Sequence, residues 1–218
     1  MHLLFDVDGT LTDSREGIVR CIHHAILELG ADAPPVESLT QYVGPPLPAS
    51  FATLLGTSDP KRVDLALAAY RRRFERLGMF ENALYPGIAE ALEQFAAAGF
   101  GLHVVTAKPR VYARQILDHF NLSSRLRVVH GPELDQRDYS KASLVREACV
   151  EAHIGSHDGT VIGDRAEDML AAKRNGLCSV AALWGYGGRE ELEAARPDCL
   201  ASSIADLARF LNVKVART

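Results

Sequence analysis

A change of period near Pro86 constrains this chain more than any other feature. From there on, apolar runs of strand length alternate with stretches of helical spacing. A helix runs to Ala98, a strand over Leu102–Val105, a helix from Val111 to Phe120 and a strand over Leu126–Val129. Residues 141–152 then read as a helix, Gly159–Ile162 as a strand, Glu167–Arg174 as a helix and Ser179–Leu183 as a strand, with a last helix near Ile204–Leu211. Such alternation predicts an α/β fold, a Rossmann-like parallel sheet with helices on both faces. His2–Val7 adds a first buried strand that ends in carboxylates and opens into a turn at Gly9.

Between that first strand and Pro86, no strand pattern interrupts residues 14 to 80. Ile18, Cys21, Ile22, Ala25, Ile26 and Leu29 follow helical spacing, with Asp13 or Ser14 as N-cap and Gly30 as the stop. After a break at Pro34-Pro35 and a short apolar piece at Phe51–Leu55, Val63, Leu67, Tyr70, Phe74 and Leu77 mark one face of a longer helix. The expected organisation is an α/β core from 1–13 and 82–218, with a small all-helical domain, 14–81, inserted after the first strand.

At 218 residues and 47% hydrophobic, the chain can bury one sizeable core and a smaller one without covalent staples. Cys21, Cys149, Cys178 and Cys199 form no C-x-x-C pair, so they read as small buried hydrophobes in a reducing compartment. A net charge of -4 with both signs interspersed offers no footprint for a nucleic-acid polymer or an anionic membrane. No run approaches the roughly 18 apolar residues of a membrane span, and a cytoplasmic protein is the expectation.

In open parallel sheets, ligands bind at the carboxyl ends of strands, near a switch in strand order. Asp6 and Asp8 stand at the first such end, with Gly9 and Thr10 behind them. An Asp-x-Asp turn taken alone is equally well a capped surface turn. Three other strand ends also present polar groups: Thr106, Lys141 at the start of a helix, and Asp164 with Asp168. Each has a plain explanation of its own, as a helix cap or a solvated lysine.

In this order the four segments are similar to the signature motifs of the haloacid dehalogenase superfamily, D-x-D-G-T, an apolar run ending in T, K, and G-D-x-x-x-D. The resemblance implies phosphoryl transfer. Asp6 is then the nucleophile, forming an aspartyl-phosphate, and Asp8 the general acid and base. Thr106 and the amide of Ala107 would bind phosphate at the start of a helix, with Lys141 adding charge. Mg2+ would be held by Asp6, the backbone carbonyl of Asp8, and Asp164. Thr10 would fix the loop, and Asp168 would hold Lys141 or a metal-bound water.

Asp8 argues against the dehalogenases and ion pumps of the superfamily, which lack an aspartate there. No lysine precedes Lys61, which argues against phosphonate cleavage. A sugar-phosphate mutase would place a histidine near Ile18, and His23 and His24 lie one turn further on. Asp8–Ser14, Tyr42–Leu47, Thr106-Ala107-Lys108-Pro109 and Trp184-Gly185-Tyr186-Gly187 resemble the phosphoglycolate phosphatase-like branch, which includes 5'-nucleotidases. The implied reaction is hydrolysis of a small phosphorylated metabolite, phosphoglycolate-like or a nucleoside 5'-monophosphate. The alternatives are a mutase or a catalytically idle module that binds a phosphorylated ligand. Gly44 and Lys108 are candidate substrate contacts, and a linker or a solvated lysine explains each as well. Arg71, Arg72, Arg73 and Arg76 read as a solvated helix face, and Trp184 as either a rim support or packing under its loop. The sequence leaves monomer and homodimer equally open.

Overall fold

The structure, a computed structural model, describes residues 1–136 and 138–213. The chain forms two compact units, one from Met1–Asp13 together with the chain from Leu84 onward, the other Ser14–Ala83.

The first unit is built on a six-stranded parallel sheet: β1 (His2–Phe5), β2 (Gly101–Val105), β3 (Val128–His130), β4 (Gly159–Gly163), β5 (Cys178–Ala182) and β6 (Cys199–Ala201). Their order across the sheet is β3-β2-β1-β4-β5-β6. Connections leave β1 toward β2 on one side and lie beyond β4 on the other, so the switch point falls at β1, between those two neighbours. Leu4 pairs with both His103 and Val161, and Phe5 with Val104 and Ile162, which brings the carboxyl ends of β1, β2 and β4 level.

Alternation along β1 feeds two cores. Leu3 and Phe5 face one side, with Leu92 and Phe95 of α4 (Ile88–Ala97), Leu117 of α5 (Arg110–His119) and Leu207 near the C-terminus. Leu4 faces the other, with Leu144 and Val145 of α6 (Lys141–Glu151) and Ala171 and Ala172 of α7 (Ala166–Arg174). Leu3, Leu4 and Phe5 are each at most 1% exposed, so each contributes roughly 1.5–3 kcal/mol of burial.

The second unit is helical: α1 (Arg15–Glu28), a 3-10 segment Val36–Tyr42, α2 (Leu47–Leu54) and α3 (Pro60–Arg73). Ile22, Ile26, Leu39, Phe51, Leu67, Tyr70 and Phe74 are buried in it, and the ring of Tyr70 stacks on Phe74 with centroids 5.5 Å apart. Past Arg73 the chain continues as a π turn, Phe74–Gly78. The wider turn shifts the register, so Leu77, expected on the buried face, is 54% exposed and Met79 takes the inward position.

Several sequence expectations are corrected at element edges. β1 ends at Phe5 rather than Val7, because Val7 already belongs to the turn that receives the amides of residues 10, 11 and 12 on its carbonyl. β3 begins at Val128 rather than Leu126, after a 3-10 turn at Ser123–Arg125. Short elements such as β6 and the six-residue α8 (Arg189–Ala194) carried no periodic signal at all. The cysteines are free, yet only Cys21 is buried; Cys149 and Cys199 are half-buried and Cys178, the first residue of β5, is exposed. No helix among the described residues is long and apolar enough to cross a membrane.

Candidate active site

The site grows from the turn after β1. The amide of Asp6 still pairs with Ile162 of β4, and the amide of Val7 donates to Asp6 Oδ1 at 2.8 Å, which fixes that carboxylate against the strand end. The chain then turns at Gly9 with φ +81°, a conformation that suits glycine. Space demands glycine there as well, because a Cβ would sit 2.2 Å from the Asp164 carboxylate.

Asp164 follows β4 and is fully buried. Thr10 Oγ1 donates to its Oδ1 at 3.3 Å, and the amide of Tyr186 donates to its Oδ2 at 2.7 Å. Trp184 donates its Nε1 to Thr10 O at 3.0 Å, and the Tyr186 hydroxyl bonds Asp13 Oδ1 at 3.0 Å. The loop after β5 therefore buttresses both the first turn and Asp164. Gly185 makes this possible, since a Cβ there would meet Asp164 Cβ at 2.2 Å.

Lys141 is the first residue of α6, whose N-cap Ser140 accepts from the amide of Ser143. Its ammonium lies 3.0 Å from Asp6 Oδ1 and 2.7 Å from Asp168 Oδ1. Burial works against that charge, but Asp168 and Asp6 together outweigh it and hold the lysine above its ordinary value. Asp168 is pinned in turn by the amide of Arg165 at 3.2 Å.

The carboxylates Asp6, Asp164 and Asp168 offer oxygen atoms that all lie within 4.8 Å of one another. Burial first, then the charges of Asp6 and Asp168, push Asp164 up to about 8. Burial likewise raises Asp168 to about 6 against the pull of Lys141. One ammonium does not balance this cluster, and an all-oxygen donor set suits a hard divalent cation. The residues present thus fit the cation that the motifs imply.

At the end of β2, Thr106 is buried, gives its amide to His130 O and accepts the amide of Lys108 on its Oγ1 at 3.2 Å. Here the helix expectation needs correcting. α5 begins only at Arg110 behind Pro109, so Thr106 and Ala107 sit on a turn ahead of the helix and not on its first amides. Nor is Asp164 a helix cap, because Arg165 occupies that position before α7. Lys108 is not solvated: it is buried against Asp8, with Nζ 3.0 Å from Oδ2.

Gly44 belongs to the helical unit, exposed, with φ +104°. In that unit Arg72 pairs with Glu28, while Arg73 reaches Glu81 at 2.7 Å and is partly buried, so the arginine face is only partly solvated. Sequence reading missed the structural roles of Tyr186, Asp13 and Tyr139, whose hydroxyl donates to Ala107 O at 3.2 Å. The glycines flanking Tyr186 were the available signal, because a backbone amide can reach a buried carboxylate only where neighbouring side chains are missing.

Comparison with known proteins places this geometry. Residues 3–182 match the family model described as haloacid dehalogenase-like hydrolase. A 5'-nucleotidase of Pseudomonas aeruginosa is 38% identical over 97% of this chain and 95% of its own. Tyrosine-protein kinase PtkA of Mycobacterium tuberculosis is 32% identical over 97% of this chain and 72% of its own. Among solved structures, one described as a predicted phosphatase from Clostridium acetobutylicum superposes with a TM-score of 0.89 at 36% identity, covering 97% of each chain. With the family model spanning most of the sequence and relatives aligned nearly end to end, the chain belongs to the haloacid dehalogenase-like hydrolase family.

Proposed function

We propose that this chain, a phosphomonoesterase of its family, hydrolyses the phosphate ester of a small metabolite through an aspartyl-phosphate on Asp6, with magnesium as cofactor. The observation that carries the reading is the placement of Asp6: its carboxylate is held at a strand end, 3.0 Å from Lys141, beside two further buried carboxylates.

An oxygen of Asp6 attacks phosphorus, and the bond from phosphorus to the ester oxygen breaks. That oxygen keeps the electron pair, takes a proton from Asp8 and leaves as an alcohol. Asp8, now a carboxylate, accepts a proton from the water that attacks the phosphorus of the aspartyl-phosphate. The bond to Asp6 breaks, its electron pair returns to the carboxylate, and phosphate departs. Thr106 and Lys141 donate to phosphate oxygens, and Asp168 keeps Lys141 in place.

Asp6, Asp164 and the backbone carbonyl of Asp8 would hold Mg2+. When bound, the ion supplies charge neutralisation between the carboxylate nucleophile and the phosphate dianion. Substrate choice is assigned to the helical unit, with the loop at Gly44 as the first place to look. Phosphoglycolate and nucleoside 5'-monophosphates are the first substrates to try.

The test is phosphate release from a panel of esters with magnesium present, for the wild type and for Asp6→Asn. Turnover by the wild type and a loss of about 10³-fold or more in the variant support the reading. Equal activity of the two would remove Asp6 as nucleophile. Sugar phosphates interconverted without phosphate release would point to a mutase, and tight binding of one ester with no turnover to a binding module. The likeness to PtkA adds one arm, transfer from ATP to a tyrosine peptide, which hydrolysis alone does not explain.

A further inference from the structure

We propose that Tyr186 is a positioning residue for the cation site: its amide and its hydroxyl hold the loop after β5 against Asp164, and the carboxylate fixed in this way sets both the affinity for Mg2+ and the preference over Ca2+. The proposal rests on the reading above that Asp164 holds a divalent cation.

The partners of Asp164 supply the first argument. Lys141 places a positive charge against Asp6 and Asp168. Asp164 instead receives neutral donors, the Thr10 hydroxyl on Oδ1 at 3.3 Å and the Tyr186 amide on Oδ2 at 2.7 Å. Neutral donors orient an ionised carboxyl group without cancelling its charge. Asp164 thus keeps its attraction for a cation and loses its freedom to rotate.

The second argument is space. A Cβ at Gly9 or at Gly185 would lie 2.2 Å from the Asp164 side chain, and one at Gly187 would lie 1.9 Å from the Asp164 carbonyl oxygen. Bare backbone from two loops therefore walls the residue in.

The third is what keeps such a loop in place. Glycines at 185, 187 and 188 give it little stiffness of its own, and the aromatic residues between and before them supply the anchors. Trp184 Nε1 donates to Thr10 O at 3.0 Å, and the Tyr186 hydroxyl donates to Asp13 Oδ1 at 3.0 Å. Both anchors lie on the segment after β1, the same segment that carries Asp6 and Asp8. Tyr186 therefore spans the two sides of the site, its amide on Asp164 and its hydroxyl on Asp13. A rigid ring with a polar tip suits this span.

Ion preference follows from that rigidity. Mg2+ demands near-ideal octahedral geometry at short distances, whereas Ca2+ accepts more oxygens at longer distances in a flexible shell. A carboxylate fixed in advance favours Mg2+, and one that can shift gives up the preference.

The experiment titrates Mg2+ and Ca2+ separately into the chelator-stripped chain by calorimetry, for the wild type and for Tyr186→Phe. We expect loss of the hydroxyl to weaken Mg2+ about 10-fold and Ca2+ by no more than about 2–3-fold. Asp13→Ala, which removes the acceptor and leaves the tyrosine, should give the same shift, and the two changes together should lose no more than either alone. Equal Mg2+ affinity in Tyr186→Phe and the wild type would overturn the proposal. So would equal weakening of both ions, which marks a general loosening of the fold, or additive losses in the double variant. If Tyr186→Phe fails to fold, the ion preference of Asp13→Ala decides the matter. A wild type that binds neither ion removes the magnesium reading and this proposal together, and is told apart because wild type and variants then behave alike.

Discussion

Strand β1 carries ionisable groups at both ends, and burial is handled differently at each. At the amino end His2 Nδ1 lies 3.0 Å from His103 Nε2. His103 is 1% exposed, and burial, reinforced by the charges of His2 and Arg127, pushes it down to about 4. The pair is therefore neutral, the inexpensive way to bury a titratable group. At the carboxyl end Lys141 keeps its charge against Asp6 and Asp168, while Asp164 is pushed up to about 8. Charge retained under burial, with more carboxylates than cations, has no structural benefit of its own. That difference marks the carboxyl end as the one built for chemistry.

The strongest way to break this comparison is to remove the retained charge. Lys141→Met should lower turnover about 10²–10³-fold, because the proposed donor to the phosphate is lost in a site screened from water. It should also destabilise the protein by roughly 3–5 kcal/mol, since Asp6 and Asp168 lose their buried partner. Thermal unfolding with and without magnesium separates the two effects: magnesium should restore much of the stability and little of the turnover. A variant that melts and turns over like the wild type would show that the charge is decorative.

Next in size is the pH dependence, where the two ends should pull in opposite directions. Asp164 and Asp168 have raised values, so in chelator their ionisation opposes folding. Stability should fall as pH rises from the ordinary 3.8 through about 6 and about 8. His103 is depressed instead, so its contribution is complete above the ordinary 6.5 and is lost as pH falls toward about 4, on the order of 3 kcal/mol. Denaturant titrations across this range should show the basic-side loss relieved by magnesium or by Asp164→Asn. The acid-side loss should be unaffected by magnesium and reduced in His103→Phe. If magnesium shifted both limbs equally, the two ends would not be independent.

The smallest effect is expected in the helical unit, where ion pairing has a structural role. Arg73 meets Glu81 at 2.7 and 2.9 Å and Cys21 Sγ at 3.1 Å, and Arg20 reaches the same Glu81 at 3.0 Å. Arg73→Met should cost about 1–2 kcal/mol in chemical denaturation, with turnover of p-nitrophenyl phosphate unchanged. A large loss of turnover would draw this network into the chemistry.

Much of the core was legible because its elements are periodic and its site lies where periodicity ends. Leu3, Leu4 and Phe5 announce a strand buried on both faces, and Asp6 is placed simply by being the next residue. Asp164 and Lys141 are legible in the same way, one behind β4 and the other at the start of α6. What stayed hidden depends on partners distant along the chain. β6 is three residues long and exists because β5 pairs with it. Leu77 moved outward because a π turn interrupts the helix, and no spacing rule anticipates that register shift. Tyr186 holds Asp164 through its backbone amide, which is signalled by the neighbouring glycines and not by the tyrosine itself.

Lys108 shows where the boundary falls. By itself the sequence determined the alternating fold, the helical insertion and the acidic and basic residues at the strand ends, because hydrophobic period and local turn chemistry suffice for these. It left Lys108 as either a solvated lysine or a site residue. Only the tertiary structure set its ammonium 3.0 Å from Asp8, by gripping residues 106–110 with the loop after β3. The physical reason is range. Period and caps act within a few residues, whereas the pairing of a buried charge joins segments a hundred residues apart and is decided by how the sheet brings its strand ends together.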